Sequence, residues 1–441
     1  MTPGALSGKE RRLIALLGVP SAGLSFSLVV LATYLPVLAL RFTSSTTVIG
    51  ALVGGEGLIA VLIPVWVGRL SDRTKTRLGR RLPFVIGAAP VAALALCIAP
   101  LAPSLPIMAT AVVLFYLAYF TYFSPYRALY PDLVPEAASG RGQGIQGVFT
   151  SVGMGLALVF GGLLLDLWRP LPYFIAAVAL LVATAVLAIG LRRSATQSGA
   201  VARDSCSPKA GFWSLLREHP DIRYFAIGNA LLTLGLGGLK SFVVLWLTEG
   251  LGKSMKFTAC AMTVVALGTL VGALVSGKLA DRYGAAPVLL ISLIIFGIGL
   301  ALGTFSRSVV VLGAAFPIIA LAGGAAVALP YALLMNLMSS GNHGTVAGLF
   351  DVSSGVGTLL GPTLTGVVID LLRPLFGSTH GYGAMWPVLS VSILGSTVVL
   401  RRASVLAHKQ EGDPTASNAS SPASSKHSPS RGGEGGSCGA P

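Results

Sequence analysis

Charged residues are scarce in this chain. Asp, Glu, Lys and Arg make up 11% of the 441 residues, hydrophobic residues make up 54%, and the mean hydropathy is +0.79. A soluble domain carries about 25% charged residues, so this composition excludes an ordinary soluble enzyme or binding module. It indicates an integral membrane protein whose surroundings are a lipid bilayer.

Motifs for ATP use, metal binding and covalent catalysis are also missing. No complete Gly-x-x-x-x-Gly-Lys-Ser/Thr loop occurs, which argues against transport driven by ATP. The five histidines and four cysteines show no metal-ligand, redox or catalytic-triad spacing. We therefore expect no cofactor, no metal site and no enzymatic activity. The first apolar stretch is too long for the core of a cleavable signal peptide, so none is expected.

What the chain does contain is long apolar stretches. Each is long enough to cross a hydrocarbon core of about 30 Å as a helix. The sequence therefore predicts an all-α membrane protein with twelve transmembrane helices. The stretches lie roughly at 13–40, 47–68, 84–102, 106–127, 143–166, 173–191, 222–248, 257–277, 287–305, 308–335, 343–371 and 383–400.

Basic residues are concentrated between alternate stretches. With the N-terminus placed inside, 24 of the 31 Lys and Arg residues fall on the inner side and six on the outer side, and Lys240 lies within a stretch. This bias predicts that both termini are cytoplasmic, in the plasma (cell inner) membrane. The net charge of +15 then reflects topology, and no nucleic-acid partner is expected.

Three short motifs recur about 205 residues later in the chain. Such a repeat in an apolar chain predicts two similar six-helix bundles, an architecture suited to rocking around a central site. The recurring pairs are Gly68–Arg73 with Gly277–Arg282, Pro125–Leu129 with Pro330–Leu334, and Leu165–Leu171 with Ile369–Leu375.

Composition divides the chain into four segments. We predict an N-terminal bundle at 1–192, a basic cytoplasmic connector at 193–220 and a C-terminal bundle at 221–402. Residues 403–441 are rich in Ser, Gly, Pro and Ala. They lack apolar periodicity, so they are predicted to form a disordered tail.

The loop after the second stretch, Ser71–Pro83, carries the most specific motif. It reads Ser-Asp-Arg-Thr-Lys-Thr-Arg-Leu-Gly-Arg-Arg-Leu-Pro, and its Gly-x-Leu-x-Asp-Arg beginning recurs after the eighth stretch. The motif resembles that of the major facilitator superfamily, and the resemblance covers roughly residues 10–402. The longer form, together with Arg127–Leu133, is similar to the sucrose/proton (glycoside–cation) symporters and their microbial relatives.

The charges of these loops suit contacts between helix ends, because carboxylates favour helix N-termini and guanidinium groups favour C-terminal carbonyls and carboxylates. We expect Arg127 to contact Asp132 or a loop carboxylate. The predicted gating residues are Asp72, Arg73, Arg77, Arg80, Arg127, Asp132, Asp281 and Arg282.

Three ionisable residues lie within the stretches: Glu56, Lys240 and Asp351. Each costs about 2.5–3.5 kcal/mol to insert, so each needs a partner or water. Glu56 and Lys240 are both about 24 Å of helix from the inner side, and Asp351 is about 12 Å from it. We predict proton-coupling roles for Glu56 and Asp351, with Glu56 alternating between a protonated state and pairing with Lys240 or another cation. Alternatively, the pair is static.

The resemblance implies that helices 1, 4, 7 and 10 line a substrate cavity. Helix 4 carries aromatic residues at 116, 119, 123 and 126, a spacing that places them on one face. Such a stripe can bind a sugar or simply pack. Tyr126 and Tyr331 correspond in the repeat, which predicts a shared role. The candidate substrate-binding residues are Tyr34, Tyr116, Tyr119, Gln146, Asn229, Lys240 and Tyr331.

These features predict a monomeric secondary transporter that moves a sugar or glycoside together with protons. Helix 5 lacks the Gly-Pro pair typical of drug/proton antiporters, which favours symport. However, helices 1 and 4 lack the acidic residue that plant symporters carry in the first bundle. Two alternatives stay open: proton-driven efflux of an amphipathic small molecule, and a non-transporting membrane factor for assembly or pigment handling.

Overall fold

A computed structural model of the chain describes residues 8–74, 76, 79–134, 139–195, 217, 219–305, 309–337 and 343–411. Most of the predicted connector, the predicted gating residue Arg77 and the tail from residue 412 lie outside the described residues.

The described residues form an all-helical structure without strands. Twelve of its helices contain a segment long and apolar enough to span a membrane, so the predicted fold class is confirmed. We number them α1 (Gly8–Ala39), α2 (Thr46–Arg73), α3 (Leu82–Leu101), α4 (Leu105–Leu133), α5 (Ser139–Leu167), α6 (Leu171–Ala195), α7 (Pro220–Leu245), α8 (Met255–Tyr283), α9 (Ala285–Phe305), α10 (Val309–Leu337), α11 (His343–Leu372) and α12 (Met385–Glu411).

Short irregular turns complete the described helical structure. Helix α7 continues into one π-helical turn, Trp246–Gly250, and two 3₁₀ turns, Gly377–Thr379 and Tyr382–Ala384, connect α11 to α12. Helix α12 runs to Glu411, so residues 403–411 are helical and the predicted boundary of the disordered tail is wrong. The apolar segment of this helix extends to Leu406, and Ala403 within it is fully buried.

The helices pack as two groups that follow the sequence repeat. In the first half, α1 packs against α5 and α6, and α3 packs against α4 and α6. In the second half, α7 packs against α11 and α12, and α10 packs against α8 and α9. Helix pairs α2/α11, α5/α8 and α1/α7 join the halves.

Glycine allows the closest of these contacts, between α2 and α11. A Cβ atom at Gly50, Gly54 or Gly57 would overlap the backbone of α11, and one at Gly366 would overlap the backbone at Thr46. Small residues let helix backbones approach closely in membranes. The α2/α11 seam therefore depends on residues that carry no side chain.

Candidate functional site

A cavity of about 940 Å³ lies between the two halves. All helices except α2, α3 and α6 contribute to its wall, which consists mainly of Leu, Val, Ile, Met and Phe side chains. We call the end of the molecule that carries the start of α1 and the α2–α3 loop the basic face. Among the described residues the cavity opens at the basic face, where the Arg127 and Asp351 side chains are 46% and 53% exposed.

An ion pair joins the two halves at the wall of this cavity. Lys240 Nζ on α7 donates to Glu56 Oε2 on α2 at 3.2 Å. The Glu56 side chain is 10% exposed, whereas Lys240 is 32% exposed and lines the cavity. The predicted similarity in depth is therefore confirmed. From α4, Tyr116 and Tyr119 are close enough to interact electrostatically with the Glu56 carboxylate.

A second ion pair crosses between the halves near the mouth of the cavity. Arg127 Nη1 on α4 lies 3.6 Å from Asp351 Oδ2 on α11, and the Arg127 guanidinium also lies over the Phe123 ring. The expected contact between Arg127 and Asp132 is absent. Five residues of α-helix turn through about 500°, so Asp132 projects well away from the direction of Arg127.

Asp132 instead belongs to a cluster at the α2–α3 loop. Arg81 Nε lies 2.6 Å from Asp132 Oδ2, and Arg81 Nη2 lies 3.5 Å from Asp72 Oδ1. One guanidinium thus connects the ends of α2 and α4. The sequence analysis did not select Arg81, although it lies within the motif.

The other predicted gating residues have fewer contacts. Arg73, Arg80, Asp281 and Arg282 form no ion pair with any described residue. The Arg282 guanidinium lies over the ring of Tyr283. The two copies of the motif therefore differ, because only the first copy has Arg81 within reach.

The end of the molecule opposite the basic face is closed by Asp370, which the sequence analysis did not select as a site residue. Its carboxylate on α11 accepts hydrogen bonds at 2.8–3.1 Å from the hydroxyls of Ser45, Thr46 and Thr47 and from the backbone N–H groups of Thr46 and Thr47. These groups form the N-terminus of α2. A carboxylate at a helix N-terminus satisfies free N–H groups and interacts favourably with the helix dipole.

Arg373 extends this closure. Its Nη2 donates to the carbonyl oxygen of Ser44 at 2.9 Å and to Asp370 Oδ1 at 3.2 Å. Asp370 and Arg373 lie in the repeated Ile369–Leu375 motif, so the repeat was a signal that could have identified them. The corresponding Asp166 is exposed and forms no hydrogen bond or ion pair with a described residue.

Four of the seven candidate substrate-binding residues line the cavity: Tyr119, Gln146, Lys240 and Tyr331. The repeat correspondence between Tyr126 and Tyr331 does not extend to their surroundings. Tyr331 is 36% exposed and packs edge-on against Phe350, whereas Tyr126 is fully buried and hydrogen-bonds to Ser21 and to the carbonyl oxygen of Leu17.

The other three candidates lie within the helix packing and are fully buried. Tyr34 donates to the Leu158 carbonyl at 3.2 Å, and Tyr116 contacts the Val53 carbonyl at 3.4 Å. Asn229 donates to the hydroxyls of Ser353 and Ser354 at 2.8 and 2.9 Å. Periodicity places a residue on a helix face, but the neighbouring helices decide whether that face meets the cavity or another helix.

Comparison with known proteins identifies the family. The profile of the MFS_1 like family matches residues 27–377. The uncharacterised MFS-type transporter YceJ of Bacillus subtilis is 24% identical over 372 residues, which cover 82% of this chain and 90% of YceJ.

Other relatives match over shorter lengths. YfiU of Bacillus subtilis, another uncharacterised MFS-type transporter, is 28% identical over 34% of this chain and 29% of its own length. The D-xylose transporter of Levilactobacillus brevis is 32% identical over 31% of this chain and 29% of its own length. The chain thus spans less than a third of these two relatives.

Solved structures share the fold. A bacterial homologue of the human lysosomal transporter Spinster, in an inward-facing and unoccupied conformation, has a TM-score of 0.70 at 18% identity, covering 91% of this chain and 97% of its own. The nucleoside transporter NupG has a TM-score of 0.67 at 16% identity, covering 91% and 99%. The cavity between two six-helix groups, the twelve spans and the profile match together show that this chain is a multi-pass membrane transporter of the MFS_1 like family, within the major facilitator superfamily, and not an enzyme.

Proposed function

We propose that this chain is a proton-coupled symporter whose substrate is an amphipathic small molecule bound in the central cavity. The observation that carries the proposal is the buried Glu56–Lys240 pair, which joins the two halves at the cavity wall. Ionisable residues inside membrane spans are costly and commonly serve transport or proton relay. A carboxylate placed between two moving bundles can link its protonation to their movement.

The cavity wall favours an amphipathic substrate. Ligand sites typically combine apolar walls with a few placed polar groups. Here Phe296, Leu300, Phe316 and Ile319 form part of a broad apolar surface, and Lys240 provides charge at one side. A molecule with an apolar body and a single polar group therefore matches the apolar wall and the charge of Lys240 better than a molecule with hydroxyls on every side.

Proton-coupled transport of a sugar or glycoside is the second candidate. Tyr119, Gln146 and Tyr331 offer hydroxyl and amide groups to the cavity. Aromatic side chains with a polar atom can bind both the C–H face and the hydroxyls of a sugar. The resemblance of Ser71–Pro83 to sugar symporters and the partial similarity to a D-xylose transporter support this candidate.

The remaining assignments are also proposals. We infer that both termini are cytoplasmic in the cell inner membrane, so the basic face is cytoplasmic and the structure is inward-facing. The bundles at 1–192 and 221–402 are proposed to rock about the cavity as a monomer. The gating role belongs to the loop cluster of Asp72, Arg81 and Asp132 and to Arg127 with Asp351.

Transport into proteoliposomes tests the proposal. The protein is reconstituted with an inward proton gradient, and uptake of labelled taurocholate, ethidium, sucrose and D-xylose is measured with and without a protonophore. We expect accumulation of an amphipath that collapses with the protonophore, and loss of accumulation in Glu56→Gln because the variant cannot exchange a proton at this site.

The outcomes separate the candidates. Accumulation of sucrose or D-xylose alone would favour the sugar symporter. Gradient-driven exit would favour efflux. No movement of any probe by folded protein would contradict both candidates and favour a non-transporting role. Full uphill transport by Glu56→Gln would remove Glu56 from the coupling mechanism.

A further inference from the structure

Near its closed end the cavity wall carries the Lys240 ammonium group, and two buried polar atoms beside the cavity have no partner among the described residues. These atoms are Trp386 Nε1 and Thr33 Oγ1, in residues that are only 2% and 1% exposed. Both residues line the cavity, as does Lys240. Buried polar atoms normally have a partner, but these two have almost no accessible surface, so they could bond to a ligand only after their side chains turn toward the cavity.

The type of atom at this end points to a negatively charged ligand. An indole N–H can only donate, a Lys ammonium has three donors and no acceptor, and a Thr hydroxyl can donate as well as accept. A carboxylate, sulfonate or phosphate offers several acceptor oxygens and forms strong hydrogen bonds with an ammonium group.

Lys240 is the charge that this ligand would meet. Among the described residues, the charged ones that line the cavity are Arg127, Lys240 and Asp351. Arg127 and Asp351 lie at the mouth and neutralise each other. The acid that pairs with Lys240, Glu56, is 10% exposed and does not contribute to the cavity wall. Only one of the three ammonium hydrogens is needed for Glu56, so the rest of the ammonium group can face the cavity.

We propose that the cavity binds an amphipathic organic anion through Lys240, and that the anion displaces Glu56, which then takes up one proton from water. The inference rests on the proposed proton-coupled transport and adds the substrate class and the coupling step. The apolar wall formed by α9 and α10 holds the body of the anion.

Charge balance explains why substrate and proton move together. Before binding, the Lys240 ammonium and the Glu56 carboxylate form a neutral pair. After binding, the ammonium pairs with the anion and the carboxylate is protonated, so the site is again neutral. An unpaired carboxylate in a buried position would be strongly unfavourable, so displacement without proton uptake is disfavoured.

Among the residues that the structure describes, the other groups around Glu56 do not supply a replacement cation. Helix α4 contributes the Tyr116 and Tyr119 phenols, and α7 contributes Lys240. On α11 the nearest charged group within the span, Asp351, is paired with Arg127. On α1 the ionisable residue beyond the first turns of the helix, Tyr34, donates to the Leu158 carbonyl on α5. Lys240 is therefore the partner for which Glu56 and the anion compete.

Binding to the purified, full-length protein in detergent tests this inference. The probes are 1-naphthalenesulfonate, a carboxylate probe, decanoate, and their neutral counterparts 1-naphthalenesulfonamide and decanamide. Calorimetry in two buffers of different ionisation enthalpy gives both Kd and the number of protons taken up. We expect at least one anion to bind about tenfold or more tightly than its neutral counterpart, with uptake of about one proton.

Variants separate this competition from a merely structural ion pair. Glu56→Gln should bind the anion about tenfold more tightly than the wild type and take up no proton, because Lys240 is then free. A structural pair predicts weaker or unchanged binding. Lys240→Arg should keep the preference for the anion. The double variant Glu56→Gln/Lys240→Met should lose it, and this variant avoids leaving a buried charge unpaired.

Equal binding of anionic and neutral probes, failure of both anions to bind, or anion binding without proton uptake would overturn the inference. These outcomes differ from failure of the proposed function. Proton-driven accumulation of a neutral amphipath would contradict the anion site and keep the symporter. Anion binding with proton uptake but without gradient-driven accumulation would support the site and contradict the symporter.

Discussion

At the residue scale, Gly57 illustrates how strongly the α2/α11 seam constrains single positions. A Cβ atom there would overlap the Gly355 carbonyl and the Leu359 amide nitrogen. Gly55, two residues earlier on the same helix, has open space around it. In the sequence, Gly55 and Gly57 are two of the glycines of the same helix, and no neighbouring residue marks one of them as special. They differ because two residues of helix place them on different faces of α2, and only the face that carries Gly57 packs against α11.

We predict that Gly57→Ala destabilises the folded protein by about 1–3 kcal/mol, because an added methyl group in a tight contact forces the backbones apart. Gly55→Ala is the matched control. It should be neutral or stabilising by up to about 1 kcal/mol, since Ala favours helix more than Gly. Thermal unfolding of the purified variants measures both effects. Equal unfolding temperatures for the two variants would contradict the close contact.

At the scale of secondary-structure elements, Asp370 on α11 caps the N-terminus of α2. The first residues of α2 supply hydroxyl and N–H donors, and the accepting carboxylate of Asp370 comes from the other half of the molecule. A helix cap is usually local in sequence. Here it can form only while the two halves are in contact, so the cap stabilises the closed state of the end opposite the basic face.

We predict that Asp370→Asn weakens this closed state by about 1–2 kcal/mol, through loss of the charge at the helix N-terminus. The closed end should then open more often. A cysteine introduced at Thr33, in a background without native cysteines, should react faster with a maleimide reagent that does not cross the membrane and is added from that side. Here Thr33 serves only as a buried reporter.

Asp166→Asn is the control for this prediction, because Asp166 is the repeat counterpart and has no partner among the described residues. It should leave the reaction rate unchanged. An equal acceleration in both variants would indicate a general loosening of the protein and would argue against the cap.

At the scale of the whole molecule, two ion pairs connect the halves in different surroundings. The Glu56–Lys240 pair is largely buried, whereas both side chains of the Arg127–Asp351 pair are about half exposed. Exposed ion pairs contribute about 0–1 kcal/mol. The pair at the mouth is therefore suited to form and break during movement, and it adds little to overall stability.

We predict that Asp351→Asn changes thermal stability by less than about 1 kcal/mol but alters the rate of transport, because the pair can form only in states that bring α4 and α11 together. The exchanged pair Arg127→Asp/Asp351→Arg should recover part of the transport rate lost in each single variant. Uptake rates and unfolding temperatures of the wild type, Asp351→Asn, the two single exchange variants and the exchanged pair measure this. Additive losses in the exchanged pair would show that the two residues act independently.

Much of the fold follows from local properties of the sequence. Apolar length predicts twelve spans, the distribution of Lys and Arg predicts an orientation, and the repeat predicts two similar halves. The equal depth of Glu56 and Lys240 follows from counting residues along helices of known rise. The C-terminal end of α12 was not predicted, because the residues there are polar although the helix continues to Glu411.

The sequence alone determined that this is a twelve-helix membrane protein with a repeat and three charges inside its spans. Tertiary structure decided which partners those charges have and which residues reach the cavity. Arg127 forms an ion pair with Asp351, and Asp132 forms one with Arg81. Tyr34, Tyr116 and Asn229 are buried between helices. Asp370 of α11 caps the N-terminus of α2. Hydropathy and periodicity are properties of one segment, whereas these contacts depend on how faces from distant segments meet.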